Sequence, residues 1–206
     1  MTPVNDGKPD AHLCETKVDG REVYDGYFLK VQSDQVRLPS GQPATREYIR
    51  HPGAVVVLPV FDDGSILMER QFRYPLNRVF IEFPAGKIDP GEDPLACAKR
   101  ELREETGYTA RDWQFVCTIH NAIAYSDEHL DLYLARGLTA GKAALDEGEF
   151  LDIFITGHAQ LLAGVQDGSI TDVKTIIGIF WLERLLRGEW LPSTGAAGGE
   201  QSAASD

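Results

Sequence analysis

The amino-acid sequence predicts an α/β fold, an α/β/α sandwich with a mixed sheet, preceded by a small N-terminal β meander. Strand-like apolar runs alternate with helical patterns after residue 50, and short alternating segments with turn signals precede it. The length of 206 residues with 43% hydrophobic content suffices for one sizeable core. We therefore expect an extension with the meander at 1–50, one domain at 51–192, and a disordered tail at 193–206.

Two segments predict the meander. "ETKVDGREV" carries a turn signal at Asp19-Gly20, and "YFLKVQSDQVRL" alternates apolar and polar side chains over part of its length. The next segment, "AVVVLPVF", is almost continuously apolar, and the turn "DDG" separates it from "SILMERQF". This pair predicts a hairpin that enters a buried sheet.

The remaining elements are four strands and three helices. The strands are predicted by "VFIEFPAG", "WQFVCTIH", "LDLYLARGL" and "FLDIFIT". The first helix is expected from about Pro94 to Thr106, with Asp93 as its cap and Gly107 as its stop. The second is "GHAQLLAGVQDG", and the third follows a cap at Asp172 and carries "VKTIIGIFWLERLLRG" with apolar side chains at helical spacing. Helices then cover both faces of the sheet.

Charge and cysteine content restrict the partners. Acidic residues outnumber basic ones 32 to 20, and the formal charge of -12 repels nucleic acids and anionic membranes on average. Cys14, Cys97 and Cys117 form no CxxC pair and are expected to be free thiols. The N-terminus has no apolar signal segment, and no run reaches the ~18 apolar residues of a membrane span. We expect a cytoplasmic enzyme or binding protein without a nucleic-acid or membrane partner.

The segment "GKIDPGEDPLACAKRELREETGYTA" at 86–110 carries the clearest chemical signal. Glu101, Glu104 and Glu105 fall at i, i+3 and i+4 of the predicted helix, so three carboxylates project from one side. Such charges repel one another unless arginines or a divalent cation compensate, and Mg²⁺ prefers carboxylate, water and phosphate oxygens. A solvated, salt-bridged helix face is the alternative, but it requires neither glycines nor Glu92 at fixed spacing.

As a whole, the segment reads Gly86, five residues, Glu92, seven residues, and then "RELREETG". This resembles the Nudix box, G-x5-E-x7-R-E-U-x-E-E-x-G-U with U aliphatic. Only the last position departs from the pattern, because it is Tyr108. The resemblance implies the Nudix-type α/β/α sandwich and an enzyme that hydrolyses a nucleoside diphosphate linked to another moiety, with Mg²⁺ or Mn²⁺ as cofactor.

The resemblance also implies roles for individual residues. Glu101 and Glu105 correspond to the main metal ligands, and Glu104 to a further ligand with a catalytic role. The carbonyl of Ala85, just before the first glycine, corresponds to another ligand. An internal ion pair and the bend of the loop before the helix would orient these ligands. The residues implied in that structural role are Gly86, Glu92 and Arg100.

A weaker resemblance, to the ADP-ribose pyrophosphatase branch, covers about 16–190. It is carried by the β-rich extension, "ERQFRYPLNR" before the box, the lead-in "EFPAG" and the late segment "LDEGEFLDIF". It implies hydrolysis of ADP-ribose to AMP and ribose 5-phosphate. Similar enzymes are homodimers with exchanged N-terminal strands, and the meander here has few residues to bury a core of its own. We therefore predict a homodimer.

The branch resemblance implies contacts with substrate and water as well. Arg70 and Arg73 would face opposite ways on a regular strand, so both reach phosphate only if the strand ends or bulges between them; we favour Arg70. Glu82 is expected to contact the base or ribose, with a paired strand carboxylate as the alternative. In the late loop, Glu149 is expected to hold metal and Glu147 to act as general base, and these two roles are interchangeable.

One departure keeps the substrate open. ADP-ribose enzymes usually carry a proline in an "S-P-G-x-S-[DN]-E" segment past the box, whereas this chain has "NAIAYSDEHLDLYLARGL" with Ile123 at the proline position. GDP-mannose, other nucleotide sugars and dinucleoside polyphosphates therefore stay as alternative substrates. A module of the same fold that binds a nucleotide without cleaving it is the alternative class.

Overall fold

The computed structural model describes residues 10–145 and 148–190. The described residues form two compact units, of which unit 1 lies within 1–51 and 122–128 and unit 2 within 52–121 and 129–206. No pattern in the sequence indicated that 122–128 belongs with the N-terminal strands. The predicted tail at 193–206 lies outside the described residues.

Unit 1 is a three-stranded antiparallel meander, with strands β1 (Thr16–Asp25), β2 (Lys30–Arg37) and β3 (Pro43–Arg50). The turn predicted at Asp19-Gly20 is wrong, because β1 continues through both residues. Gly20 pairs with Asp34 of β2, and a Cβ on it would lie 1.9 Å from Oδ1 of Asp34. This glycine therefore allows close approach of two strands and does not make a turn.

The segment 122–128 attaches to the end of β3. The amide of Ile49 donates to the carbonyl of Tyr125 at 2.9 Å, and the carboxylate of Asp127 accepts from the amide of His51 at 2.7 Å. Asp127 also forms an ion pair with Arg50 at 2.8 Å. Ile123, which stands at the expected proline position, is exposed.

Unit 2 contains two sheets and three helices. The four-stranded sheet has the order β7-β4-β9-β8, and it is mixed because β4 and β9 are parallel while the other pairs are antiparallel. The second sheet is antiparallel, in the order β10-β5-β6. The strands are β4 (Ala54–Pro59), β5 (Ile66–Arg73), β6 (Arg78–Glu82), β7 (Ala85–Lys87), β8 (Tyr108–Ile119), β9 (Leu130–Ala140) and β10 (Leu151–Thr156). The helices are α1 (Pro94–Thr106), α2 (His158–Asp167) and α3 (Val173–Leu186).

Two strand predictions need correction. The expected hairpin of β4 and β5 is reduced to a single bridge between Val60 and Ile66, after which β5 leaves to pair with β6 and β10. The segment "VFIEFPAG", predicted as one strand, is divided between the two sheets as β6 and β7. Proline at position 84 has no N–H to donate, and the fully buried Phe83 turns into the core at the change of sheet.

Helices cover both faces of the four-stranded sheet, as predicted. Side chains of β4 alternate, so that Val55 and Val57 pack with Leu102 of α1, whereas Val56 and Leu58 pack with Ile179 of α3. The predicted caps of α1 and α3 are present. No helix in the described part of the chain is both long and apolar enough to cross a lipid bilayer.

Candidate active site

Helix α1 presents the box carboxylates from a well-defined start. The side chain of Asp93 accepts a hydrogen bond from the amide of Ala96 at 3.0 Å, and Pro94 occupies the first turn. Gly107 ends the helix with a φ of 76°, a left-handed conformation that glycine adopts without a steric penalty. The helix is thereby fixed at both ends, which sets the direction of its glutamates.

Strand β7 lies close against these glutamates. A Cβ on Gly86 would lie 2.0 Å from Cδ of Glu101, so only glycine leaves room for that carboxylate. The amide of Ala85 donates to Oε2 of Glu105 at 3.1 Å. The space that glycine provides at position 86, within strand β7, is thus occupied by a carboxylate.

Arg100 organises the outer part of the site. Its guanidinium donates to both oxygens of Glu92 at 2.9 Å each, and Nη1 donates to Glu101 at 2.7 Å and to Glu104 at 3.1 Å. This is the ion pair that the family resemblance implies. The hydrogen bonds from Arg100 lower the pKa of Glu92 to about 2 and keep it ionised. The position of Glu101 therefore depends on a charged pair beside it.

Four carboxylates of unit 2 influence one another electrostatically, and we name them the carboxylate cluster: Glu69, Glu101, Glu105 and Glu149. Burial, followed by the charges of Glu69, Glu101 and Glu149, raises the pKa of Glu105, which is 4% exposed. Glu149 is held near β5, because Gln71 Nε2 donates to its Oε1 at 3.2 Å. Glu147 lies outside the described residues.

The cluster has the donor chemistry that a divalent cation requires. Burial raises the pKa of Glu101, Glu105 and Glu69. Of these three acids, only Glu101 forms a hydrogen bond with a cationic side chain in the described part of the chain. In the side-chain arrangement of the described residues, no three acids already converge as a metal-binding group. Arg100 engages Glu101 and Glu104, so an ion would have to compete with this arginine for Glu101.

The two arginines of β5 face opposite ways. Arg73 donates through Nε and Nη2 to the two oxygens of Glu82, at 2.7 Å each. Arg70 is exposed on the other face, where it lines a cavity of 570 Å³ with Val79 and Phe154. Strand β5 is regular through both residues, so neither the end of a strand nor a bulge brings them together. The geometry thus favours Arg73 over Arg70 as the arginine near the cluster.

Glu82 is the centre of an ion network. It is 2% exposed and accepts from Arg73 and from Lys174, whose ammonium group also contacts Asp172 at 2.9 Å. Burial raises the pKa of Glu82, but the hydrogen bonds and charges of Arg73 and Lys174 outweigh burial and lower it. Both oxygens of Glu82 are therefore engaged, as in the paired strand carboxylate that the sequence left as the alternative.

Three residues were missed by the sequence analysis: Glu69, which belongs to the cluster, and Gln71 and Lys174, which lie near it. Period-two alternation along β5 provided a signal for the first two, because they share the face of Arg73. Lys174 had no such signal, since it meets Glu82 from 92 residues further along the chain. The roles predicted for the cluster residues and for Arg70, Arg73 and Glu82 stay predictions, although the structure brings most of these residues together.

The cluster predicts a pH dependence for the metal-free protein. Glu69, Glu101 and Glu105 have pKa values raised above their ordinary value of 4.5. Above that pH the folded chain keeps protons that the unfolded chain releases, so stability falls as pH rises. We expect the thermal unfolding midpoint in EDTA to be at least about 3 °C higher at about pH 5.5 than at about pH 8. Glu92 acts in the opposite sense, losing its contribution as pH falls from about 4.5 towards 2.

Circular dichroism melts at the two pH values measure this difference. Saturating Mg²⁺ should reduce it, whereas KCl at equal ionic strength should not, which separates the cluster from a general effect of net charge. A midpoint that rises with pH in EDTA would contradict the prediction.

Comparison with known proteins agrees with this fold and site. Residues 50–172 match the NUDIX domain, and residues 15–49 match the nucleoside diphosphate sugar hydrolase N-terminal domain. The chain belongs to the Nudix family, as the box spacing predicted, and within it resembles the ADP-ribose pyrophosphatases.

Two curated relatives cover most of the chain. The ADP-ribose pyrophosphatase of Bacillus subtilis (strain 168) is 37% identical over 173 residues, which are 83% of this chain and 94% of that protein. The methanol dehydrogenase activator of Bacillus methanolicus is 37% identical over 171 residues, 82% of this chain and 92% of that protein. A crystal structure of an ADP compounds hydrolase matches the fold with a TM-score of 0.77 at 24% identity, over 85% of this chain and 95% of that one.

Proposed function

We propose that this chain is a pyrophosphohydrolase that cleaves ADP-ribose into AMP and ribose 5-phosphate with a divalent cation. The observation that carries this proposal is the carboxylate cluster, whose acids on β5, on α1 and in the late loop influence one another electrostatically, with Glu101 packed against Gly86. Similarity to ADP-ribose pyrophosphatases over most of the chain supports the substrate. The hydrolase domain in this proposal is 51–192.

Mg²⁺, or Mn²⁺ in its place, is the cation that the donor set suits. The proposed ligands are the carbonyl of Ala85 and the carboxylates of Glu101, Glu104, Glu105 and Glu149. Bound there, the cation would neutralise charge on the diphosphate and on the leaving phosphate. Arg100 is held by Glu92 and donates directly to Glu101 and Glu104, so its contribution is to orient ligands.

The chain's own groups then bind the diphosphate and move one proton. Water forms a new bond to one phosphorus, the P–O bond of the pyrophosphate bridge breaks, and the proton of the water passes to a carboxylate. Glu149, which Gln71 holds at β5, and Glu147 are the candidates for that base. Glu104 lies between Arg100 and Arg103 on the outer side of α1 and is the third carboxylate within the proposed machinery.

We expect Arg73→Ala to lower kcat/KM for ADP-ribose by about tenfold to a hundredfold, because Glu82 fixes this guanidinium on the face of β5 that carries Glu69, where we propose that the diphosphate binds. Arg70→Ala, three residues away on the same strand, tests the sequence-based preference, and its loss is expected to be smaller. Steady-state kinetics of both variants decide between the arginines. A larger loss for Arg70→Ala would support Arg70 as the phosphate ligand.

A substrate panel tests the proposed function directly. Purified full-length protein with Mg²⁺ is offered ADP-ribose, GDP-mannose, NADH and diadenosine polyphosphates, and released AMP or GMP is quantified. ADP-ribose is expected to give the highest kcat/KM. Preferential release from another compound would replace the substrate, and no release from any compound, with nucleotide binding retained, would favour the non-catalytic binding module.

We further propose a homodimer formed through unit 1. Every residue of edge strand β1 is exposed in the single chain, including Val18, Val23 and Tyr24. A long exposed edge strand with apolar side chains is a liability unless a partner covers it. Light scattering at micromolar concentration is expected to give twice the chain mass of 22.8 kDa. A monomer mass would reject the dimer.

The proposed compartment is the cytoplasm, with a small nucleotide and not a nucleic acid as the partner. The three cysteines Cys14, Cys97 and Cys117 are free thiols, and the formal charge is -12. Free cysteines suit a reducing compartment, and an acidic protein does not attract a polyanion.

A further inference from the structure

Glu69 is a buried carboxylate without a hydrogen-bond partner in the described part of the chain. It lies on β5, is 0% exposed, and both Oε1 and Oε2 lack a partner. Buried polar atoms of folded proteins are almost always hydrogen-bonded, and an exception often marks the place of a bound water or ion. The two oxygens therefore require a group that the chain does not supply.

The neighbouring cationic side chains, Arg73 and Lys174, do not donate hydrogen bonds to Glu69. Glu82 lies directly opposite Glu69 on β6 and is nearly as buried, yet Arg73 and Lys174 both donate to it. Their charges act on Glu69 and lower its pKa, but burial and the charge of Glu82 outweigh them and raise it. Glu69 and Glu82 are thus neighbours in the same strand pair, but only Glu82 forms ion pairs with cationic side chains.

The other close neighbour of Glu69 is the box helix. Among the charges that raise the pKa of Glu105, that of Glu69 is the largest, and Glu149 acts on both residues. Glu105 receives a hydrogen bond from the amide of Ala85 but has no cationic side chain among its main influences. Glu69 also shares its face of β5 with Leu67, which packs in the core with Leu102 of α1, and with Gln71, which donates to Glu149. The unsatisfied oxygens of Glu69 are therefore on the side of β5 that faces the box helix.

We propose that Glu69 is a further ligand of the divalent cation held by Glu105, so that β5 and α1 both supply carboxylates to this ion. The inference rests on the proposed function, because it requires that the box binds a cation. A doubly charged ion beside both acids satisfies the oxygens of Glu69 and replaces the repulsion between the two carboxylates by attraction to a common charge.

Two alternative roles would make different demands on Glu69. A permanently neutral carboxyl group buried for packing, or one that binds a trapped water, needs hydrogen-bonding shape but no negative charge. A cation ligand needs the charge. Glu69→Gln keeps the shape and removes the charge, and Glu69→Met removes both while keeping similar volume.

The experiment measures metal binding and stability separately from activity. Mn²⁺ is titrated into wild-type and variant full-length chains, and free Mn²⁺ is followed by electron paramagnetic resonance. We expect both Glu69→Gln and Glu69→Met to weaken the tightest Mn²⁺ site at least about tenfold. Asp152→Asn is the matched control, because it removes an acid from neighbouring β10 beside Arg70, on the opposite face of the same sheet, and should leave that affinity within about twofold.

Thermal stability supplies a second readout, because the difference between Glu69→Met and the wild type is expected to change sign when Mn²⁺ is added. In EDTA, Glu69→Met is expected to unfold at a higher temperature than the wild type, because an unpaired buried acid is replaced by an apolar side chain. In saturating Mn²⁺ the order is expected to reverse, because the variant gains less from the ion. A carboxyl group needed for packing would give a less stable variant under both conditions.

The other possible results distinguish failure of the Glu69 inference from failure of the proposed function. Wild-type Mn²⁺ affinity in Glu69→Gln would overturn the inference, and so would failure of both Glu69 variants to fold, since that would identify a structural carboxyl group. Absence of Mn²⁺ binding by the wild type would instead overturn the proposed function. Weakened binding in Glu105→Gln with unchanged binding in both Glu69 variants would leave the proposed function intact and reject Glu69 alone.

Discussion

Glu105→Gln is expected to lower kcat for ADP-ribose hydrolysis by about a hundredfold or more, the largest loss among the box carboxylates. Glu105 is the most buried of them, and it combines that burial with a hydrogen bond from Ala85 beside the Gly86 cavity. A neutral amide at this position keeps the side-chain volume but cannot hold a divalent cation as a carboxylate does. The measurement is AMP release under saturating ADP-ribose and Mg²⁺.

The matched control is Glu183→Gln on α3, where the carboxylate forms a surface ion pair with Arg187 at 2.8 Å. The pair lies at the surface, with Arg187 exposed and Glu183 partly exposed, and such pairs contribute little, so activity and thermal midpoint should both stay close to wild type. Glu105→Gln should also lose most of the Mg²⁺-induced rise in midpoint, while its midpoint in EDTA is not lowered, because the wild-type acid has to take up a proton on folding and the amide does not. Undiminished AMP release by a folded Glu105→Gln protein would refute the catalytic assignment.

The sequence predicted those features that depend on near neighbours in the chain. Helix α1 begins at an aspartate cap followed by proline and ends at a glycine, and these signals lie within the helix or next to it. The pairing of Arg100 with Glu92 follows from box spacing, since the two residues are eight apart. The ends of α1 and the ion pair beside it could therefore be predicted from the sequence, because all the residues involved lie in one helix and the loop before it.

Features that depend on which strands pair were harder to predict from the sequence. Whether β5 stays with β4 or joins β6 and β10 depends on partners up to about 90 residues away, because Ile66 pairs with Thr156. The division of the sheets in turn decides which arginine of β5 shares a face with Glu82, and periodicity alone indicates only that the two differ. The preference for Arg70 was made without this information.

The sequence also did not reveal which charged side chains are buried. Glu69 of "SILMERQF" is 0% exposed, on a strand that lies between two other strands. A sequence pattern records that an acid is present but not whether a cation is available to pair with it. Lys174 and Arg73 form their ion pairs with Glu82, so neither Glu69 nor Glu105 forms a hydrogen bond with a cationic side chain among the residues that the structure describes.

Gly86→Ala is expected to abolish most activity, by about a hundredfold, although it adds a single methyl group. The new Cβ would lie 2.0 Å from Cδ and 2.1 Å from Oε1 of Glu101, so this carboxylate has to leave its position. Glu101 is also bound by Arg100, and its displacement therefore disturbs the outer half of the site as well. Mn²⁺ affinity should fall together with kcat, which distinguishes a displaced ligand from a slower chemical step.

Gly64→Ala is the contrasting control. Like Gly86→Ala, it adds one methyl group, but the expected damage at position 64 comes from backbone conformation and not from a steric collision. Gly64 lies in the turn before β5 with a φ of +82°, and a Cβ on it would have no heavy atom within 4 Å, so alanine there is strained but meets nothing. We expect a loss of about 1 kcal/mol in unfolding free energy with activity retained. At position 86, by contrast, steric exclusion of Glu101 predicts loss of activity and of Mn²⁺ binding in a chain that still folds. Retained activity in Gly86→Ala would show that Glu101 does not need the place it occupies beside β7.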